Sequence, residues 1–223
     1  NNFKKYVFLT EAMNVVNERK RPYIVMEGMS DRFMATYKRP FEAKDIKVVM
    51  YAGGLHERYG LKKLTEAFMM LPQENFRLKL FGSGPFVEKL KTKYTKKDSR
   101  IQYMGVAPNA EVVAAELDAS LLVNPRPTHE EFTKYSFPSK NIEYMASGTP
   151  LLTTKLPGMP KEYYPYVFLI ENESVEGYAK ALESVLAQSD EELYVFGEKA
   201  KDFVLEKKNS FEQAKRVIEL IKL

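Results

Sequence analysis

An α/β fold built on a doubly wound parallel sheet is what this chain predicts, and two observations carry that reading. Short β-branched or aromatic runs alternate with helical patterns at fairly regular spacing, the mark of strand–helix repeats. Most of these runs are apolar throughout rather than alternating, as strands are when helices cover both faces of their sheet. With 223 residues and 44% hydrophobic content the chain has material for a substantial core.

The first unit reads as strand, helix and strand, at residues 6–9, 11–18 and 23–26. It is too small to hold a core of its own. A break follows over residues 27–45, where EGMSDRFMATYKRPFEAKD is polar, contains proline and lacks periodicity, and residues 32–45 are read as an interdomain linker. A complete doubly wound domain then begins at Ile46. Its strands are predicted at 46–52, 77–81, 101–104, 120–123, 151–153 and 167–170. Its helices are predicted at 61–70, 86–94, 110–117, 138–147 and 175–188, with two more at 191–207 and 211–222. Val217, Ile218, Leu220 and Ile221 give the last helix an apolar face. No internal repeat or low-complexity tract interrupts the pattern.

Composition narrows the function classes. Cysteine is absent, which excludes disulfides and thiolate metal sites and fits a reducing cytoplasm. His56 and His129 lie far apart with no ligand spacing around them, so no protein-built metal site is expected. The net charge of +4 and pI of about 8.9 favour anionic partners only modestly. Lysines cluster in KLKTKYTKK at residues 89–97, where they fit the solvated face and end of a helix. A nucleic-acid-binding module is the rival these charges raise, with 14 Tyr and 14 Phe beside them. It has no recognisable motif, and its basic residues alternate with acids, so no nucleic-acid partner is expected. No run approaches the roughly 20 apolar residues of a transmembrane helix. The opening NNFKKYVFLTEAM has neither a signal-peptide core nor a starting Met, and the chain is expected to be a piece of a longer one.

The stretch richest in chemistry is SFPSKNIEYMASGTP, residues 136–150. Read as a helix, it takes Pro138 into its first turn and stops at Gly148. The free N–H groups of Ser139, Lys140 and Asn141 would then point out of the helix start with the positive end of its dipole, where Lys140 adds a full charge. Glu143, one turn further in, is suited to accept hydrogen bonds from ribose hydroxyls. A nucleoside diphosphate is the natural guest of such a start.

Four loops after predicted strands point the same way. In AGGLHERYGLKKL, Gly53 and Gly54 let the backbone turn sharply and approach a ligand, and Arg58 can reach a phosphate. FGSGP repeats the device with Gly82, Ser83 and Gly84, and YMGVAP places the backbone of Gly105 and Val106 where a base edge can meet it. NPRPTHEEFTKY supplies Arg126 as a further phosphate ligand. Each loop alone is also what a plain strand-to-helix turn would use; together they fall at strand C-termini, where open α/β sheets bind ligands. FGSGP also invites a dinucleotide-dependent oxidoreductase, but GSGPFV lacks the third glycine, and no ribose-binding acid ends the next strand.

On these residues the chain resembles the nucleotide-sugar glycosyltransferases of the two-Rossmann-domain GT-B fold, and among them the retaining enzymes of glycosyltransferase family 4. The resemblance runs from about residue 46 to residue 186 and is strongest in SFPSKNIEYMASGTPLLTT. It implies a Rossmann-like C-terminal half of a GT-B enzyme. Residues 1–31 would be a remnant of the N-terminal acceptor domain, 32–45 the linker, 46–206 the donor-binding domain and 207–223 a C-terminal helix. It also implies donor contacts from Gly53, Gly54, Gly82, Gly84, Val106, Ser136, Phe137, Pro138, Ser139 and Glu143, with Lys140, Arg58 and Arg126 as the catalytic cations.

The chain departs from the family pattern twice. Positions that commonly hold an arginine and a lysine in the first glycine loop hold Gly54 and Tyr59, and a glutamate common eight positions before Glu143 is Tyr135. Glu130 and Glu131 replace that glutamate only if their loop folds back. The activity implied is transfer of a sugar from a UDP- or GDP-sugar to a glycan or lipid-linked acceptor, with retained configuration and neither cofactor nor required metal. The resemblance implies a bacterial cytoplasmic enzyme of polysaccharide synthesis, with room for peripheral contact at the inner face of the membrane. The missing acceptor domain implies that this piece alone is inactive.

Overall fold

Alternation of strands and helices runs through the computed structural model, which describes residues 3–223. Asn1 and Asn2, at the start of the predicted 1–31 unit, lie outside the described residues. Strands β1 (Tyr6–Phe8) and β2 (Tyr23–Val25) pair in parallel as a small separate sheet. Six more, β3 (Lys47–Ala52), β4 (Phe76–Phe81), β5 (Ile101–Gly105), β6 (Leu121–Asn124), β7 (Leu151–Thr154) and β8 (Phe168–Ile170), form one parallel sheet in the order β5-β4-β3-β6-β7-β8. The chain therefore builds outward from β3 to one edge, then returns beside β3 and builds to the other. The loops leaving β3 and β6 touch at this reversal, where a Cβ on Gly60 would stand 1.8 Å from the Pro125 carbonyl oxygen, and a crevice opens at the C-termini of β3, β4 and β5.

Among the described residues, eight α-helices complete the fold. They are α1 (Leu61–Met69), α2 (Phe86–Lys89), α3 (Thr95–Lys97), α4 (Asn109–Asp118), α5 (Ser139–Ser147), α6 (Val175–Leu186), α7 (Asp190–Lys207) and α8 (Ser210–Lys222). Successive residues of β3 serve opposite cores, because side chains alternate across a strand: Val49 and Tyr51 pack with Leu64, Phe68 and Leu182, whereas Val48, Met50 and Ala52 pack with Val112, Ile142 and Met145. Each such burial contributes roughly 1.5–3 kcal/mol, and both faces need it, which is why the strand reads as uninterrupted apolar sequence.

Three local features differ from expectation. The predicted helix at 86–94 is α2 followed by a π-helical turn, Leu90–Tyr94, and the helix runs on into α3. The helix predicted at 11–18 is a 3₁₀ turn, Glu11–Val16, and further 3₁₀ turns occur at Arg32–Thr36, Glu57–Tyr59, Glu131–Lys134 and Lys161–Tyr166. Turns this short leave no periodicity to read. Residues 32–45 run along the main domain: Arg39 donates to the carbonyls of Leu117, Ala119 and Gly148 at 3.1–3.2 Å. Its charge thus sits at the negative ends of α4 and α5.

The first unit is fastened by the end of the chain. Lys208, on the turn between α7 and α8, lies 2.6 Å from both Glu27 and Glu162, and Tyr163 donates to Glu27 at 2.6 Å. From α8, Gln213 and Arg216 donate to the carbonyls of Gly28 and Val25. The predicted apolar face of α8 divides here, with Leu220 buried against the protein while Ile218 and Ile221 are exposed. Among the described residues no helix is long and apolar enough to cross a membrane.

Candidate functional site

Loops at the crevice lie against one another backbone to backbone. Gly53 N–H donates to Phe81 at 3.1 Å, Leu55 N–H to Ser83 at 2.8 Å and Gly82 N–H to Gly105 at 2.7 Å. A Cβ on Gly82 would stand 1.9 Å from the Gly53 carbonyl oxygen, and one on Gly84 would stand 2.4 Å from that of Leu55. Both glycines also have positive φ, 124° and 152°. The FGSGP turn thus needs its glycines for loop-on-loop packing. Gly84, expected to touch the ligand, faces the Leu55 backbone; Gly82 faces the Gly53 backbone and also lines the cavity beside these loops.

That cavity, of about 200 Å³, brings together Gly53, Gly82, Val106, Asn109 and Lys140. A second, of about 250 Å³, is lined by Ser139 and Glu143 with Asp31, Met34 and Asn109. Asn109 borders both, so the two adjoin; the first lies within the main domain and the second between that domain and residues 29–34.

Helix α5 supplies the crevice floor. Pro138 stands just before the helix as its N-cap, with no side chain capping the start, and Gly148 ends it at φ 81°. The Asn141 N–H is not free as expected but donates to the Pro138 carbonyl at 2.9 Å, a tight first turn that leaves the helix start narrower. Ser139 is exposed at this start. Ser136 Oγ donates to the Phe132 carbonyl, so its hydroxyl is occupied within the loop. Phe137, expected at the ligand, is 7% exposed and packs 5.1 Å from the Tyr163 ring. Burying that ring in the core outweighs any surface contact it could make.

Lys140 and Glu143 meet each other. The Lys140 Nζ lies 2.6 Å from Glu143 Oε1, the i, i+3 spacing of a helix surface pair, and 3.6 Å from Glu116 Oε1 on α4. Glu116 escaped the sequence reading. It is wholly buried, neither carboxylate oxygen has a hydrogen-bond partner, and its pKa is pushed up to about 7, chiefly by burial and then by Glu143, against the pull of Lys140. One clue was present: Glu116 falls one turn after Val112 on the core-facing stripe of its helix, where a carboxylate has no ordinary reason to be.

Arg58 and Arg126 converge on one aromatic pair. Arg58 lies 5.5 Å from the Tyr59 ring centre and 5.0 Å from that of Phe132; for Arg126 the distances are 4.8 and 5.8 Å. Neither forms an ion pair among the described residues. Tyr59, which stands where a basic residue was expected, is therefore a platform for two arginines. The Arg126 loop is pinned in turn: Tyr178 donates to the Pro125 carbonyl at 2.9 Å, Thr154 donates to the Arg126 carbonyl, and Thr128 donates to Glu173. Gly54 lies beside His56 and Tyr59, next to this cluster.

An open parallel sheet with glycine turns and a helix start at its strand C-termini defines an α/β domain of the Rossmann type. Residues 35–222 match the family model described as glycosyl transferases group 1, and the chain belongs to that family. A protein of Escherichia coli strain K12, provisionally assigned as the colanic acid biosynthesis glycosyltransferase WcaL, is 30% identical over 112 residues, covering 48% of this chain and 27% of its own. Sucrose-phosphate synthase of Thermosynechococcus elongatus superposes with a TM-score of 0.76 at 18% identity, over 99% of this chain and 58% of that one. S. aureus TarM, in a complex that includes UDP, superposes with a TM-score of 0.76 at 16% identity, over 99% and 44%. The fold is that of the GT-B glycosyltransferases, as the sequence motifs implied. The chain spans only 27% of the curated relative it matches and 58% or 44% of these two structures.

Proposed function

We propose that residues 46–206 are the donor-binding domain of a retaining glycosyltransferase, which holds a nucleoside-diphosphate sugar in the crevice beside α5. The observation that carries this reading is one cavity lined by Gly53, Gly82, Val106 and Lys140, with Glu143 in the adjoining one. In this reading the base lies against the backbone at Val106, Glu143 accepts from the ribose, and Lys140, Arg58 and Arg126 meet the diphosphate. Their charges stabilise the negative charge that grows on the departing nucleoside diphosphate, which is the main demand of glycosyl transfer, without a required metal or cofactor. The donor is a UDP- or GDP-sugar and the acceptor a glycan or lipid-linked glycan of a bacterial surface polysaccharide, reached from the cytoplasmic side of the membrane.

Residues 1–31 belong in this reading to the acceptor domain, whose remainder supplies the acceptor groups and closes over the donor to exclude water. The chain alone then binds donor nucleotide and transfers little. A thermal-shift panel of nucleoside diphosphates, with the matching nucleosides and NADH as controls, tests the reading. Ligand at about a hundredfold its Kd should stabilise the fold by about 2.7 kcal/mol for the right base only. No shift with any nucleoside diphosphate, or sugar transfer by this chain at the rate of the intact protein, would refute it.

A further inference from the structure

Glu116 has no part in the scheme above, and its setting is costly. A carboxylate with no exposed surface and no hydrogen bond to either oxygen has only the Lys140 ammonium, 3.6 Å away, to offset its charge. Glu143 competes for the same ammonium from 2.6 Å. The other ionisable group of α5 beside it is Tyr144, whose hydroxyl is taken up by the backbone of Ala52, donating to its carbonyl and accepting from its N–H. The face of β3 that packs against α4 carries Val48, Met50 and Ala52 and offers no charge. Lys140 also lines the crevice, so one ammonium stands between a buried anion behind it and an anionic guest in front.

We propose, on the strength of the donor-site reading, that Glu116 is a second resting counter-anion of Lys140 beside Glu143, and that a bound nucleoside-diphosphate sugar draws Lys140 forward and makes Glu116 take up one proton from solvent. Lys140 keeps its three protons and the diphosphate gains none; the only new covalent bond is O–H on Glu116. Glu116 is thus a positioning residue, which holds Lys140 at the crevice wall when the site is empty and becomes neutral when it is full. Its carboxyl already sits at about 7 in the empty site, so little free energy separates the two states near neutrality.

Titration calorimetry of the chain with UDP-glucose and GDP-mannose, in buffers of different ionisation enthalpy, reads the proton directly. These sugar diphosphates carry no proton of their own near neutrality. At about pH 7.5 binding should take up most of one proton, and affinity should fall about tenfold between about pH 6 and about pH 8. Glu116→Gln should abolish both effects, and so should Lys140→Gln, which leaves Glu116 protonated before any ligand arrives. Binding with no proton uptake, or uptake that survives either substitution, overturns the inference and leaves the donor reading standing. Failure of either sugar nucleotide to bind at any pH overturns both. Should Glu116→Gln not fold, the uptake of the unsubstituted chain and of Lys140→Gln decide between these outcomes.

Discussion

Replacing Glu116 with glutamine should flatten the pH dependence of folding stability over a defined window. The carboxyl titrates at an ordinary value of 4.5 when solvated and at about 7 in the fold, where burial disfavours its charge. A carboxyl raised in this way binds its proton more tightly folded than unfolded. Its contribution is therefore complete below pH 4.5 and is lost as the pH rises through about 7. At about 1.4 kcal/mol per pH unit, that interval is worth about 3 kcal/mol, a large share of the 5–15 kcal/mol typical of a folded domain. Urea unfolding at about pH 5 and about pH 8 measures it. The unsubstituted chain should lose about 3 kcal/mol more than Glu116→Gln between the two, while other carboxylates cancel in the comparison. Glutamine leaves its own buried amide unpaired and lowers stability at both pH values alike, so the test is the slope rather than the level. Parallel profiles for the two proteins would show that Glu116 is charged, or solvated, across the whole range and would refute the argument.

Other substitutions probe the remaining parts of the site. Glu143→Gln keeps its shape but weakens it as an acceptor. Hydrogen bonds to a charged group contribute about 1.5–3 kcal/mol, so nucleotide affinity by calorimetry should fall by about one to two decades; unchanged affinity would remove Glu143 from the ribose. Arg126→Gln should weaken a nucleoside diphosphate far more than the matching nucleoside, and equal losses would assign Arg126 to holding Tyr59 and Phe132 instead. Lys208→Met leaves Glu27, 2% exposed at its side chain, without its cation and should cost about 3–5 kcal/mol in thermal unfolding. Adding Glu27→Gln should recover much of that loss, and no recovery would mean that Lys208 acts through packing alone.

The fold was legible because its strands must be apolar on both sides. Val48 to Ala52 serve two cores at once, and no other arrangement asks for such a run between helices. The α5 start was legible for a similar reason: a proline before the first turn and Gly148 after the last leave little choice of boundary. Tertiary choices were not. A glycine in a turn serves a ligand or a neighbouring backbone equally well in sequence, and only the approach of the Leu55 carbonyl assigns Gly84 to the second. Phe137 belongs to the same motif as Ser139 yet turns into the core, since neighbours in a loop share a motif without sharing a direction.

The cations show most clearly what sequence leaves open. Lys140 is legible from the start of its helix and Arg58 and Arg126 from loops after strands, but where each rests depends on partners elsewhere in the fold. Lys140 rests on two carboxylates, one of them buried on another helix; the arginines rest on the rings of Tyr59 and Phe132. These are different kinds of store. An arginine can stay on its ring while its edge meets a phosphate, because the ring face and the guanidinium N–H groups point in different directions. An ammonium cannot serve a buried carboxylate and a phosphate at full strength together. In the proposed donor site the arginines would then meet an anion at any pH, whereas the release of Lys140 would be tied to the proton on Glu116, and the pH dependence of donor binding is predicted to pass through that residue.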